Sequence, residues 1–214
     1  IGQGFVIVNP LQLAVSTACI ASGRRIRPQL LGAHDKPLEA LDVPAEHLEA
    51  VRGGMWEVVN GNGTAVASKL GIPGVEMCGK TGTAQVRRLS ASASRGQGGE
   101  WRFRDHGLFV FFAPFDKPRY AGSVVIEHGM GGARAAAPVA KDVLTYLFDR
   151  PKALERLAAL EAQWGGTLAE RMARRAQAIE AAARQAAAAG SPPIAAPAPL
   201  PSSVNAPPPA PDDR

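Results

Sequence analysis

Lys80-Thr81-Gly82-Thr83 sets one cation and two hydroxyl side chains in a single short run, and two unrelated chemistries claim it. Taken with the residues before it, Gly74-Val75-Glu76-Met77-Cys78-Gly79-Lys80-Thr81 fits the pattern of a phosphate-cradling P-loop, which would make the chain a nucleotide binder. Taken by itself, the run is a receptor for an acidic group. An ammonium and two hydroxyls can hold a carboxylate, and Gly82 leaves the backbone between them unobstructed.

The elements that must position these residues separate the two readings. A phosphate loop needs a core strand entering its first Gly, a small polar interior, and a helix springing from Lys-Thr. Gly71-Ile72-Pro73 ahead of the pattern is a turn, and Val75-Glu76-Met77-Cys78 is too apolar for the loop interior. Gly82 and Thr83 are poor residues for the first turn of a helix. Val75 to Val86, by contrast, contains no Pro and suits a strand once Gly79 and Gly82 are accepted as points of close approach. An extended peptide can pair with such a strand through its backbone while Lys80, Thr81 and Thr83 hold its terminal carboxylate. The bland reading of the triplet is a surface strand with an exposed lysine.

Other segments appear around this run in a definite order. Ile1-Gly2-Gln3-Gly4, Asn9-Pro10-Leu11-Gln12-Leu13-Ala14 and Asn62-Gly63-Thr64-Ala65 precede Gly79 to Gln85. Asp105-His106-Gly107-Leu108-Phe109, Phe112-Ala113-Pro114-Phe115-Asp116-Lys117-Pro118, Val124-Val125-Ile126-Glu127 and Ala135-Ala136-Ala137-Pro138 follow it. The series, over about residues 1 to 149, resembles the C-terminal half of the transpeptidase domain of class B penicillin-binding proteins. The elongation type (penicillin-binding protein 2) is the nearer likeness and the division type the second.

The resemblance implies an α+β domain of the penicillin-binding and serine β-lactamase-like transpeptidase fold, truncated at its N-terminal side. It implies a serine that attacks the penultimate D-Ala carbonyl of a peptidoglycan stem peptide, releases D-Ala, and passes the acyl group to an amine. Lys80 would then support the proton network and the substrate carboxylate, and Thr81, Gly82 and Thr83 would line the substrate strand. The backbone N–H of Thr83 would form one arm of the oxyanion hole. β-Lactams become alternative acylating partners; a membrane glycosyltransferase and elongation-complex proteins become protein partners. The periplasmic face of the bacterial inner membrane is the implied location, with the anchoring helix upstream, and no cofactor is implied.

The family's nucleophile motif, Ser-x-x-Lys, does not occur in the chain, and Ser203-Val204-Asn205 stands after Lys80 where the family's second-serine motif stands before it. Together with a start at Ile1 inside a recognisable motif, this leads to the expectation of a C-terminal piece of a longer enzyme, inactive alone. With part of the sheet missing, the piece is expected to expose apolar surface and to be poorly soluble or molten. A non-catalytic interaction module remains the alternative of another class.

Three strands are expected, at about 75–87, 107–115 and 119–127, the last two forming a hairpin around Pro114–Pro118. Leu108-Phe109-Val110-Phe111-Phe112 is apolar on both parities, as for a strand covered on both faces. Helices are expected over Pro10–Ser22, over Pro44–Asn60 with Leu48, Val51, Met55 and Val59 inward, and over Ala135–Asp149. The last would cover the sheet with Val139, Val143, Leu144, Leu147 and Phe148. Arg87 to Asp105 is Gly- and Ser-rich with several arginines and reads as a solvated loop bordering the cleft, its Trp101 within reach of a substrate or partner.

Residues 1–150 thus read as the transpeptidase portion. Residues 151–189 form a helical extension whose Leu154, Leu157, Leu160, Trp164, Leu168 and Met172 follow helical spacing, broken at Gly165-Gly166. Such pieces suit a membrane surface, a partner, the domain itself, or plain solvent. Residues 190–214 are Pro/Ala-rich and expected to be disordered. The net charge of +5 divides into +4 for residues 1–150 (17 basic against 13 acidic) and +1 for the rest (7 against 6). A spread excess without a basic stripe gives nucleic-acid binding no support. Cys19 and Cys78 with four scattered histidines offer neither a disulfide scaffold nor metal-ligand spacing.

Overall fold

The computed structural model describes residues 7–31, 37–86 and 100–188. The chain divides into two compact units between Leu157 and Ala158. In the first unit, α1 (Pro10–Ser22) and α2 (Ala45–Asn60) precede the strands β1 (Cys78–Ala84), β2 (His106–Ala113) and β3 (Tyr120–Ile126). A π-helical turn, Gly132–Ala136, then leads into α3 (Ala137–Phe148); α4 (Arg150–Gln163) follows at once and runs across the boundary between the units.

Local chemistry explains the helix ends. Asn9 Oδ1 accepts from the Gln12 N–H at 2.9 Å, and Gln12 Oε1 accepts from the Asn9 N–H at 2.9 Å. This reciprocal box satisfies two donors that α1 would otherwise leave unpaired. Pro10 fills the first turn, where its missing N–H costs nothing. Gly23 closes the helix in the left-handed region at φ +66°. α2 begins at Ala45, one residue inside the expected span, because Pro44 serves as its N-cap.

The sheet is antiparallel in the order β1-β2-β3. Lys80 stands opposite Val110 and Thr83 opposite Gly107, and Phe109 opposite Val124. Alternation sends Cys78, Phe112 and Ala121 to one face, where they pack with Ala21 of α1 and Met55 of α2. The other face carries Phe109, Phe111 and Val124 against Ala137, Ala140 and Leu144 of α3. Helices on both faces make this an α+β layering with apolar cores above and below one sheet, as expected. Phe109 and Phe112 are fully buried, on opposite faces of β2.

Differences from expectation have identifiable causes. The first strand was expected over 75–87, but pairing begins only at Cys78. Gly74 at φ +71° and a bridge between Ile72 and Val75 make a tight turn of the preceding residues. The second strand stops at Ala113, before Pro114, rather than at 115. Regular helix in α3 starts at Ala137, not Ala135, since the preceding turn is π-helical. Its inward face is narrower than expected: Ala140, Leu144 and Phe148 face the core, whereas Val139, Val143 and Leu147 are exposed. Val51 of α2, also expected inward, is exposed.

The P-loop reading of Gly74–Thr81 is overturned. A strand runs through Lys80-Thr81, where a phosphate loop requires the first turn of a helix.

In the second unit, α5 (Leu168–Ala188) follows a turn in which Gly165 and Gly166 take φ +81° and +115°. Thr167 and Glu170 cap α5 reciprocally: Glu170 Oε2 accepts from the Thr167 N–H at 2.8 Å, and Thr167 Oγ1 from the Glu170 N–H at 3.3 Å. Trp164, Leu168, Met172 and Ile179 are exposed. The break at Gly165-Gly166 is where the glycines pointed. Residues 87–99 of the arginine-bearing loop, and the Pro/Ala-rich tail, lie outside the described residues.

Candidate functional site

β1 is an edge of the three-stranded sheet and is held at both ends. At its start Asn60 Nδ2 donates to the Met77 carbonyl at 2.9 Å, and Trp56 Nε1 to Glu76 Oε2 at 2.8 Å. Both donors come from α2. At its far end the Val86 N–H points to Asp105 Oδ1 at 3.4 Å, and the Asp105 carbonyl accepts from the Met130 N–H at 2.8 Å. Beneath it the π-helical turn lies directly on the sheet backbone. A Cβ on Gly132 would collide with the Leu108 carbonyl and stand 2.8 Å from the Gly82 carbonyl oxygen. Glycine is what allows that approach. Gly79 serves the same end, for a Cβ there would meet the Phe109 ring and the Val110 carbonyl oxygen.

On this fixed ribbon Lys80 is exposed, Thr81 partly so, and Thr83 exposed. Alternation puts Lys80 on the face of Cys78, and Thr81 with Thr83 on the other. The three side chains therefore straddle the strand. Lys80 Nζ lies along its own strand and donates to the Thr81 carbonyl at 2.8 Å, which draws the cation toward the threonines. An anion meeting this edge has an ammonium from one face and hydroxyls from the other.

Thr64, quoted above only within the segment Asn62-Gly63-Thr64-Ala65, was given no role in the site by sequence reasoning. Its Oγ1 is 2.8 Å from Oγ1 of Thr81. The turn that carries it was visible as Asn60-Gly61-Asn62-Gly63, but nothing in the spacing says that the turn folds back onto the strand.

Cys78, two residues before Lys80, is not a competing nucleophile. Burial, then the negative charges of Glu76 and Asp116 against the opposing Arg52, push its thiol up to about 12. A thiol so placed stays protonated and inert. Of the loop expected to border the cleft, Trp101 is 61 % exposed and rests 4.2 Å, ring to ring, from His128. The His128 N–H donates to His106 Nδ1 at 2.9 Å, and His106 pairs with Ala84 at the end of β1. Trp101 is thus linked through two rings to the end of the strand. Arg102 pairs with Glu100 at 2.7 Å and lies over Phe103, so it is occupied locally.

Residues 1–145 match the family described as penicillin binding protein transpeptidase domain. The chain belongs to that family. The peptidoglycan D,D-transpeptidase MrdA of Acinetobacter baumannii is 36% identical, over 68% of this chain and 23% of its own length. Among solved structures, penicillin-binding protein PBP2 of Helicobacter pylori, in complex with MreC, superposes with a TM-score of 0.56 at 31% identity. It covers 70% of this chain and 27% of that one. Pseudomonas aeruginosa PBP2 in complex with WCK 5153 gives 0.55 at 34% identity, over 70% and 32%. The chain thus spans about a quarter of the length of the curated relatives it matches. As a transpeptidase-domain sequence of the PBP2 type, it contributes the three-stranded part of an α+β fold and the Lys80–Thr83 edge.

Proposed function

We propose that the protein containing this chain is a peptidoglycan D,D-transpeptidase of cell-wall elongation, and that β1 is where its peptide substrate docks. The observation that carries the reading is the edge strand with Lys80 on one face and Thr81 and Thr83 on the other. A stem peptide ending in D-Ala-D-Ala would lie along β1, exchanging backbone hydrogen bonds with it. Its carboxylate would sit between the Lys80 ammonium and the two hydroxyls, which sets the penultimate carbonyl one residue back along the edge.

A serine in the Ser-x-x-Lys motif, outside this chain, would attack that carbonyl. The acyl–oxygen bond forms, the amide bond breaks, and D-Ala leaves with a proton on its nitrogen. An amine of a second stem then takes the acyl group and restores the serine. Thr83 N–H would serve as one arm of the oxyanion hole, as the family likeness implies. A β-lactam presents a strained amide and a carboxylate at comparable spacing and would take the same place.

The reading extends to the periplasmic face of the inner membrane as location, and to a membrane glycosyltransferase and elongation-complex proteins as partners. The complex of a similar PBP2 with MreC supports the last of these.

The test is covalent labelling by a fluorescent penicillin of this chain and of a chain extended upstream through the segment its relatives carry. Labelling is expected in the extended protein alone and is expected to weaken on Lys80→Ala. An extended, folded protein that stays unlabelled leaves the non-catalytic module as the better reading.

A further inference from the structure

Thr64 reaches β1 from outside the strand, and its position is set by packing rather than by chance contact. It lies in the turn after α2, where the Gly63 N–H donates to the Glu57 carbonyl at 3.1 Å and the Ala65 N–H to the Val58 carbonyl at 2.9 Å. A Cβ on Gly63 would run into the Val58 backbone. Ala65 is 2% exposed, and its carbonyl accepts from the Ser68 N–H at 2.8 Å. With backbone bonds on either side of it, the Thr64 hydroxyl is delivered to one place, 2.8 Å from Thr81 Oγ1.

Hydroxyl arithmetic then gives this contact a direction. Each threonine has one proton to donate and two lone pairs to accept with. Were Thr81 to donate to Thr64, no proton would remain on it for an anion at the strand edge. With Thr64 as donor, the Thr81 proton is left to point at that anion, and accepting a hydrogen bond strengthens the one Thr81 gives. A carboxylate beside Lys80 selects this second arrangement, since it stabilises an O–H aimed at it.

We infer that Thr64 is a positioning residue for substrate binding: it donates to Thr81 Oγ1 so that Thr81 donates to the terminal carboxylate of the peptide or β-lactam. The inference rests on the transpeptidase reading above. Thr64 touches Thr81 and acts through it.

The test measures second-order acylation rates of the upstream-extended protein with benzylpenicillin and with its methyl ester, which lacks the anion. Thr64→Val, which keeps the shape and removes the hydroxyl, is expected to slow the free acid about five-fold, the net worth of the neutral hydrogen bond that aims the Thr81 proton. The ester rate should stay within about two-fold, and Thr64→Ser should restore the acid rate. In a Thr81→Val background, Thr64→Val should cost nothing further. The acid-to-ester ratio is insensitive to partial misfolding, which lowers both rates alike. An unchanged ratio in Thr64→Val, or full additivity with Thr81→Val, overturns the inference while leaving the enzyme reading intact. If Lys80→Ala and Thr81→Val also leave the acid rate at the wild-type value, β1 is not the docking strand and this inference fails with it; an extended, folded protein that is not acylated at all removes the enzyme reading itself.

Discussion

Lys80 differs from a surface lysine through its neighbours. Its ammonium is drawn along the strand to the Thr81 carbonyl, so the cation stands at the strand edge with the threonine hydroxyls on the strand's other face. Removing the charge should therefore cost more than an exposed ion pair would. Lys80→Ala in the extended protein is expected to lower penicillin acylation roughly ten- to hundred-fold, the scale of a hydrogen bond to a charged group. Lys80→Arg should not restore it, because a planar fork does not reproduce a compact ammonium folded against its own backbone. Acylation kinetics of the two variants decide this.

The neighbouring thiol makes a separate prediction at the same scale. Cys78 is raised from 9.0 to about 12 in the fold, mainly by burial. The folded state therefore holds its proton through a window in which the unfolded chain gives it up. The resulting stabilisation is present below pH 9 and is lost as pH rises toward 12. Denaturation midpoints of the extended protein should fall over that window more steeply than those of Cys78→Ala; parallel slopes would contradict the burial account.

At the scale of elements, β1 works because the chain passes over its backbone at two glycines. Gly79 leaves room for the Phe109 ring and Gly132 lets the π-helical turn rest on β1 and β2. Gly79→Ala is expected to destabilise by about 1–3 kcal/mol, as overpacked cores do, read as a lowered melting temperature. Leu144→Ala, which empties a fully buried position of α3, is expected to cost about 2–5 kcal/mol.

Most of this was legible from local chemistry. The Pro10 start and Gly23 stop of α1 and the paired glycines before α5 are punctuation that acts through the backbone alone. What sequence could not supply depends on tertiary placement. The apolar stripe of α3 gave its helical period, but which of its residues face inward follows from how the π-helical turn hands the chain over. Val139, Val143 and Leu147 came out exposed. In the site, Lys80, Thr81 and Thr83 were readable because they are contiguous. Thr64 was not, since only folding brings the turn after α2 to the strand.

For the molecule as a whole, an uneven surface is the leading feature. Val139, Val143, Tyr146 and Leu147 place exposed apolar side chains along one side of α3, the kind of surface that marks an interaction site or an association hazard. The chain on its own is therefore expected to bind a hydrophobic dye and to self-associate. The upstream-extended protein should do neither, and dye fluorescence with light scattering distinguishes the two. The second unit, with α5 capped by its own Thr167–Glu170 box, carries its helical signal locally. No helix among the described residues is long and apolar enough to cross a membrane.

The most direct test is a crystal structure of the extended protein after reaction with benzylpenicillin. The ligand is expected to lie along β1 with its carboxylate within hydrogen-bonding distance of Thr81 Oγ1 and beside Lys80 Nζ. A ligand bound away from that edge, or a carboxylate held by neither Thr81 nor Lys80, would contradict it.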